Sequence, residues 1–238
     1  MLRRTSLTVS GLIFAFALAI TGTAGAATNL GATFAPGSCP SSTTFIQTVS
    51  PGNAYTVPFN GVITRWSYQS AAPQANSVKL KVGRVPPGTD LSTFASITIV
   101  GESASQSPGP DALNTYPTRI PVQAGDLIGE YLTGAATDCS RIIGPFILHY
   151  DFTDVSPGSS DMFTPDTNKQ LDIAAVLEPD ADHDGFGDET QDQCPNNAST
   201  QGPCPRTGQR TAALKKCKRK HSARARRKCR QKASLLPL

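Results

Sequence analysis

The sequence predicts an all-β protein: a two-sheet, jelly-roll-like sandwich followed by an acidic loop and a basic C-terminal tail. Three observations carry this. Val78, Leu80 and Val82 alternate with Lys79 and Lys81, the period of two expected of a half-buried strand. Clusters of turn formers punctuate the chain, at Ser50-Pro51-Gly52-Asn53, Pro86-Pro87-Gly88, Ser107-Pro108-Gly109-Pro110 and Ser156-Pro157-Gly158. No stretch before residue 205 sustains the 3.6-residue period of a helix.

Residues 1–26 read as a signal peptide. Arg3 and Arg4 supply the positive start, and Leu12 to Ile20 form an apolar run too short to span a membrane. Ala24 and Ala26 place small residues at −3 and −1 of a cleavage site, so the mature chain is expected to start near Ala27. A retained anchor is the alternative. No later stretch holds 18 uninterrupted apolar residues, so the mature chain is expected to be soluble and secreted, either extracellular or associated with the cell surface.

Residues 27–177 form the expected β-sandwich domain. Besides Val78–Val82, strands are predicted at Thr43–Val49, Gly61–Tyr68, Ser96–Gly101, Arg119–Val122, Asp126–Leu132, Gly144–Tyr150 and Leu171–Leu177. The expectation is eight or nine strands, with a closed barrel as the second choice. In the run from Val62 to Tyr68, a strict period of two puts Val62, Thr64, Trp66 and Tyr68 on one face. That face is the more apolar, so Trp66 is read as core. The alternative is a sugar platform with Tyr55 and Tyr68.

Six cysteines fit an oxidising compartment. They allow 15 pairings. Nearest neighbours give Cys39–Cys139, Cys194–Cys204 and Cys217–Cys229, each pair inside one compositional segment. A Cys39–Cys139 bridge would close a loop of about 100 residues, for up to ~4.7 kcal/mol in the chain-entropy model. The spacings do not suit zinc.

Nothing in the sandwich reads as a catalytic constellation. His149, His183 and His221 fall in three different segments, and neither G-x-S-x-G nor H-E-x-x-H occurs. The chain is therefore read as non-enzymatic. The competing reading is a secreted carbohydrate-active hydrolase using Asp151, Asp154 or Glu130 as its acid–base pair. A purely structural surface protein is the third.

Residues 178–205 hold the most legible chemistry. Asp180, Asp182, Asp184 and Asp188 stand at positions 1, 3, 5 and 9 of a loop with Gly185 at position 6. Alternate carboxylates can aim several oxygens at one point, and the glycine permits the sharp bend a calcium loop needs. Phe186, at position 7, would offer its backbone carbonyl. Position 12 should carry a carboxylate but holds Gln191, with Asp192 one place late and Glu189 at position 10. The last ligand is thus Asp192 if the loop bulges, and Gln191 or Glu189 if it does not. The expected set for Ca²⁺ is Asp180, Asp182, Asp184, Phe186, Asp188 and Asp192.

The stretch 180–195 resembles the thrombospondin type 3 repeat. Asp180, Asp182, Asp184, Gly185, Gly187 and Asp188 match it, and Asp192-Gln193-Cys194-Pro195 matches its closing D-x-C-P after one inserted residue. The resemblance implies a loop with little secondary structure of its own, stiffened by calcium and a cystine. A single copy implies one clip, not a stalk.

Charge is strongly partitioned. Residues 28–205 carry all 18 acidic and 7 of the 22 basic residues, a net −11. Residues 206–238 carry 13 basic residues and no acidic one. This tail is rich in Ala, Leu, Lys and Arg, which form helices well, although like charges at i, i+4 oppose an isolated helix. Partly helical and disordered are both open, and a Cys217–Cys229 bridge would hold two short turns together about His221-Ser222. A polycation of this kind suits an anionic cell-envelope polymer or membrane headgroups. Nucleic acid is less favoured, since no aromatics interleave the cations. The whole arrangement resembles secreted proteins of high-GC Gram-positive bacteria. That resemblance supplies no activity; the first reading of the chain itself is a binding or adhesion module, with a glycan as one candidate ligand of the sandwich.

Overall fold

The structure is a computed structural model that describes residues 26–37, 39–71, 75–134, 139–204 and 208–234. The expected signal peptide lies almost wholly outside the described residues. Ten strands form two sheets: β1 (Thr28–Ala32), β2 (Thr43–Val49), β3 (Gly61–Gln69), β4 (Ser77–Arg84), β5 (Ala95–Glu102), β6 (Leu113–Val122), β7 (Leu127–Thr133), β8 (Ser140–Asp151), β9 (Ser160–Leu171) and β10 (Ile173–Pro179). The four-stranded sheet runs β1-β10-β3-β6, and the other runs β2-β7-β4-β5-β9-β8.

With β8 and β9 set aside, the orders β1-β10-β3-β6 and β2-β7-β4-β5 are those of an eight-stranded jelly roll. The β8–β9 hairpin is an insertion that bridges its open edges. β8 pairs with β2, and β9 pairs with β5, so the six strands close into a ring. Closure removes two unpaired edges, the backbone rows most prone to unwanted pairing.

Between the sheets lies the main core. Ile63, Trp66 and Tyr68 of β3 and Ala175 and Leu177 of β10 meet Leu80, Val82, Ile128, Leu132 and Leu148 from the ring. Trp66 is 0% exposed and lies 4.9 Å from Tyr116, centroid to centroid. Tyr55 and Tyr68 are also buried, so these rings offer no sugar platform. A second cluster, including Ile46, Ile97, Ile99 and Phe163, fills the opposite face of the ring strands.

Two face assignments differ from strict alternation. Lys81 is 0% exposed rather than on a solvent face. Ring closure turns that face inward, and the ammonium donates to Glu102, to Asp154 at 2.5 Å and to the Val155 carbonyl at 2.9 Å. In β3, the register with β6 shifts between Ile63 and Arg65. The shift puts Ile63 with Trp66 and Tyr68 in the main core, while Thr64 turns to the outer face.

Ten strands also exceed the eight or nine expected. β1 is a short edge strand with Gly31 at φ +70°, where a Cβ would meet the Ile173 carbonyl oxygen at 2.1 Å. β9 is polar and contains Pro165. β6 starts earlier than predicted because it is an edge strand, where Pro117 and Pro121 are tolerated. The predicted Leu171–Leu177 strand is split at buried Asp172, whose carboxylate accepts from Phe34 N at 2.8 Å and Gln69 N at 3.0 Å.

All three nearest-neighbour disulfides form: Cys39–Cys139, Cys194–Cys204 and Cys217–Cys229. They fit an extracellular or otherwise oxidising environment. The tail forms α1 (Gln209–Lys218) and α2 (Ala223–Ala233). Ser222 caps α2, its hydroxyl accepting from Ala225 N, and Arg226 donates to the Lys220 carbonyl at 3.0 Å. Among the described residues, no helix is long and apolar enough to cross a membrane.

Candidate metal centre

β10 runs to Pro179 and delivers the chain into the acidic loop at the outer face of β3 and β6. The loop is docked there, not free. Glu178, only 1% exposed, is the fastening point. Its carboxylate accepts from the Thr64 hydroxyl at 2.8 Å, from Glu189 N at 3.1 Å, and from both the N–H and hydroxyl of Thr190 at 2.9 and 2.7 Å. Burial opposes its charge, but these hydrogen bonds outweigh it and hold the carboxyl below its usual range. Gly187 lets the loop lie this close, since a Cβ there would meet Glu178 Oε2 at 2.5 Å and Thr64 Cγ2 at 2.6 Å. Arg119, on the outer face of β6, stacks its guanidinium 4.1 Å from the Phe186 ring centre.

The loop's own hydrogen bonds shape its first turn. Asp180 accepts from Asp184 N at 3.1 Å and Gly185 N at 2.9 Å, and Asp184 accepts from Phe186 N at 2.9 Å. Gly185 and His183 take positive φ, +83° and +60°. Gln201, inside the Cys194–Cys204 loop, donates to Asp184 Oδ2 at 2.7 Å and ties that loop to the cluster.

One carboxylate oxygen each from Asp180, Asp182 and Asp184 can be chosen so that all lie within 4.8 Å of one another. Asp188 sits among the same charges. Burial first, and then the negative charges of Asp180, Asp182 and Asp192, push its carboxyl up. Both carboxylate oxygens of Asp182 and Oδ2 of Asp192 are buried and find no hydrogen-bond partner among the described residues. Asp192 as a residue is 4% exposed. Buried unpartnered carboxylate oxygens are costly, and a hard cation that takes several oxygen ligands offsets that cost.

The inserted residue is accommodated by a bulge. The Gly187 carbonyl accepts from both Gln191 N and Asp192 N, each at 2.9 Å, so the chain turns by one extra residue and buries Asp192. The two rival candidates each make a contact of their own. The Gln191 amide donates to the Thr118 carbonyl at 2.8 Å, and Glu189 accepts from Ala27 N at 2.6 Å. The structure brings Asp180, Asp182 and Asp184 together, with Asp188 and Asp192 among the same charges. Sequence reading missed Glu178. Its signal was a lone glutamate closing an apolar strand, just before the aspartates.

The three carboxylates considered for hydrolysis lie in different surroundings. Asp154 binds Lys79 and Lys81, and burial opposes its charge less than these two lysines favour it, so its carboxyl stays low. Asp151 accepts from Thr153 N at 2.8 Å, and Glu130 is fully buried on β7.

Comparison with family models, curated proteins and solved structures finds no match to this chain.

Proposed function

We propose that this is an exported, non-enzymatic calcium-binding protein of the cell surface. Its calcium loop fastens the segment leading to the tail onto a rigid β-module, and its basic helical hairpin holds that module to an anionic envelope polymer. The observation that carries the calcium reading is the burial, without hydrogen-bond partners among the described residues, of both Asp182 oxygens and of Asp192 Oδ2 beside Asp180, Asp184 and Asp188. Bound calcium would supply positive charge to this set and no reaction chemistry. Its effect is architectural, because Glu178, Gln191 and Arg119 already place the loop against β3 and β6.

The tail supports the envelope half of the reading. It has no acidic residue, and Arg224, Arg227, Lys228 and Gln231 line one face of α2 at helical spacing. The Cys217–Cys229 bridge keeps α1 beside α2, so the cations of both helices are presented together.

Isothermal calorimetry on the chain beginning at Ala27 tests the calcium reading. The expected result is one site with a Kd of about 10⁻⁴–10⁻³ M, as for extracellular calcium modules, weakened at least about tenfold by Asp182→Asn. No heat at millimolar calcium overturns it.

A further inference from the structure

The backbone nitrogen of Ala27 lies 2.6 Å from Glu189 Oε1, at the exposed junction of β1 and the acidic loop. The position follows from the fold. β1 pairs antiparallel with β10, Thr28 opposite Leu177, so the residue before β1 arrives where β10 gives way to the loop. Glu189 is held there through its own N–H, which donates to Glu178. Ala27 is also the residue that follows the small-residue pair Ala24 and Ala26.

We propose that the precursor is cut between Ala26 and Ala27, and that the amino group so created pairs with Glu189. The inference rests on the export reading above. Hydrolysis of the Ala26–Ala27 peptide bond consumes one water. The leader departs with the Ala26 carboxylate, and Ala27 keeps its nitrogen, which takes up a proton at neutral pH. In the precursor that nitrogen is a neutral amide donating one hydrogen bond. In the cut chain it is an ammonium beside a carboxylate, a charge-assisted contact. Processing thus converts an ordinary hydrogen bond into an ion pair tying the edge strand β1 to the metal-loop segment. Nearby titratable groups include Asp188, which precedes Glu189 in the chain and accepts from Ala181 N, and Glu178, whose carboxylate is already occupied by Thr64, Glu189 N and Thr190.

The test has two parts. N-terminal sequencing of the exported protein should begin at Ala27. In the chain beginning at Ala27, an NMR titration of the Ala27 methyl resonance should give an amine pKa raised by about 0.3–0.7 above the ordinary 7.7–8.0, the shift matching exposed ion pairs of roughly 0.4–1 kcal/mol at 1.36 kcal/mol per pH unit. Glu189→Gln, an exposed change that leaves the core intact, should return it to the ordinary range. The titrations are run with calcium and with chelator, so the pairing is read whether or not calcium binds. Equal pKa values in the two chains overturn the pairing. An exported protein starting elsewhere overturns the cleavage position, and a protein retained with its leader overturns the export reading beneath both.

Discussion

Thr190 gives both its backbone N–H and its hydroxyl to the Glu178 carboxylate, so the last residues of β10 and the far side of the acidic loop form one unit. The fastening does not involve the aspartates. The aspartates gather elsewhere on the loop, where both Asp182 oxygens and Asp192 Oδ2 are buried without a hydrogen-bond partner among the described residues, while Asp192 Oδ1 accepts from Cys194 N at 2.8 Å.

Replacing Glu178 by Ala should therefore uncouple the loop from the sheet. The substitution strands the buried Thr64 hydroxyl and the part-buried Glu189 and Thr190 donors. Each unsatisfied buried group costs about 1–3 kcal/mol, and partial access of water to the loosened loop brings the expected total to about 2–4 kcal/mol. Urea unfolding at neutral pH checks it. Unchanged stability would mean that the loop is not docked through Glu178.

The choice of last ligand is testable by a pair of variants. Asp192→Asn should weaken calcium binding about tenfold or more, because Asp192 is buried with a free oxygen beside the cluster. Gln191→Ala should change affinity by less than about threefold while costing about 1 kcal/mol of stability, through its bond to the Thr118 carbonyl. The reverse ranking, read by calorimetry and melting, would make Gln191 the ligand.

Much of the β-module was legible because its signal is local. Val78, Leu80 and Val82 mark a strand by themselves, and Trp66 marks a core. The unreadable parts depend on pairing between distant segments. β9 carries Asp166, Asn168, Lys169 and Pro165 and has little strand character alone. It is a strand because β8 and β5 flank it. The burial of Lys81 follows from ring closure, which that hairpin, starting at Ser140, creates far later in the chain. Thr64 changed faces through a bulge, which alternation cannot foresee. In the loop, the aspartate spacing was visible, but the turn around Asp192 depends on one carbonyl, that of Gly187, accepting twice. Glu178 drew no reading, because a lone glutamate at a strand end does not announce the four donors it accepts from in the fold.

The ion cluster inside the ring predicts an acid-sensitive fold. Burial disfavours the charge of Asp154, but Lys79 and Lys81 hold its carboxyl below the ordinary range. For a carboxyl lowered on folding, the stabilisation is present above the unfolded value, near pH 4, and fades as pH falls through the folded value. Stability should thus fall below about pH 4, and Asp154→Asn should flatten that limb. At pH 7 the same variant should cost about 1–3 kcal/mol, because Lys81 stays buried with Glu102 and the Val155 carbonyl as its remaining partners. Parallel acid limbs in the two proteins would show that other carboxyls govern the transition.

The tail's helices are opposed by their own charges, and this makes the Cys217–Cys229 bridge testable. Arg224 and Lys228, Arg226 and Arg230, and Lys228 and Lys232 are like-charged i, i+4 pairs, each unfavourable by about 0.2–0.5 kcal/mol. Arg224 and Arg226 also lie at the N-terminal end of α2, where the helix dipole disfavours cations. Helices of 10 and 11 residues are marginal even without such repulsion. The disulfide therefore supplies what local propensity lacks, and polyanion binding would supply it by neutralisation. Replacing both cysteines by Ser should lower the helical circular dichroism at low salt, and an added polyphosphate should restore it. The intact protein should be retained on anionic envelopes at about 50 mM salt and released by about 500 mM, where the screening length shrinks to roughly 4 Å. A chain ending at residue 205 should not be retained at either salt. Equal sedimentation of the shortened and full chains would move the envelope contact from α1 and α2 to the β-module.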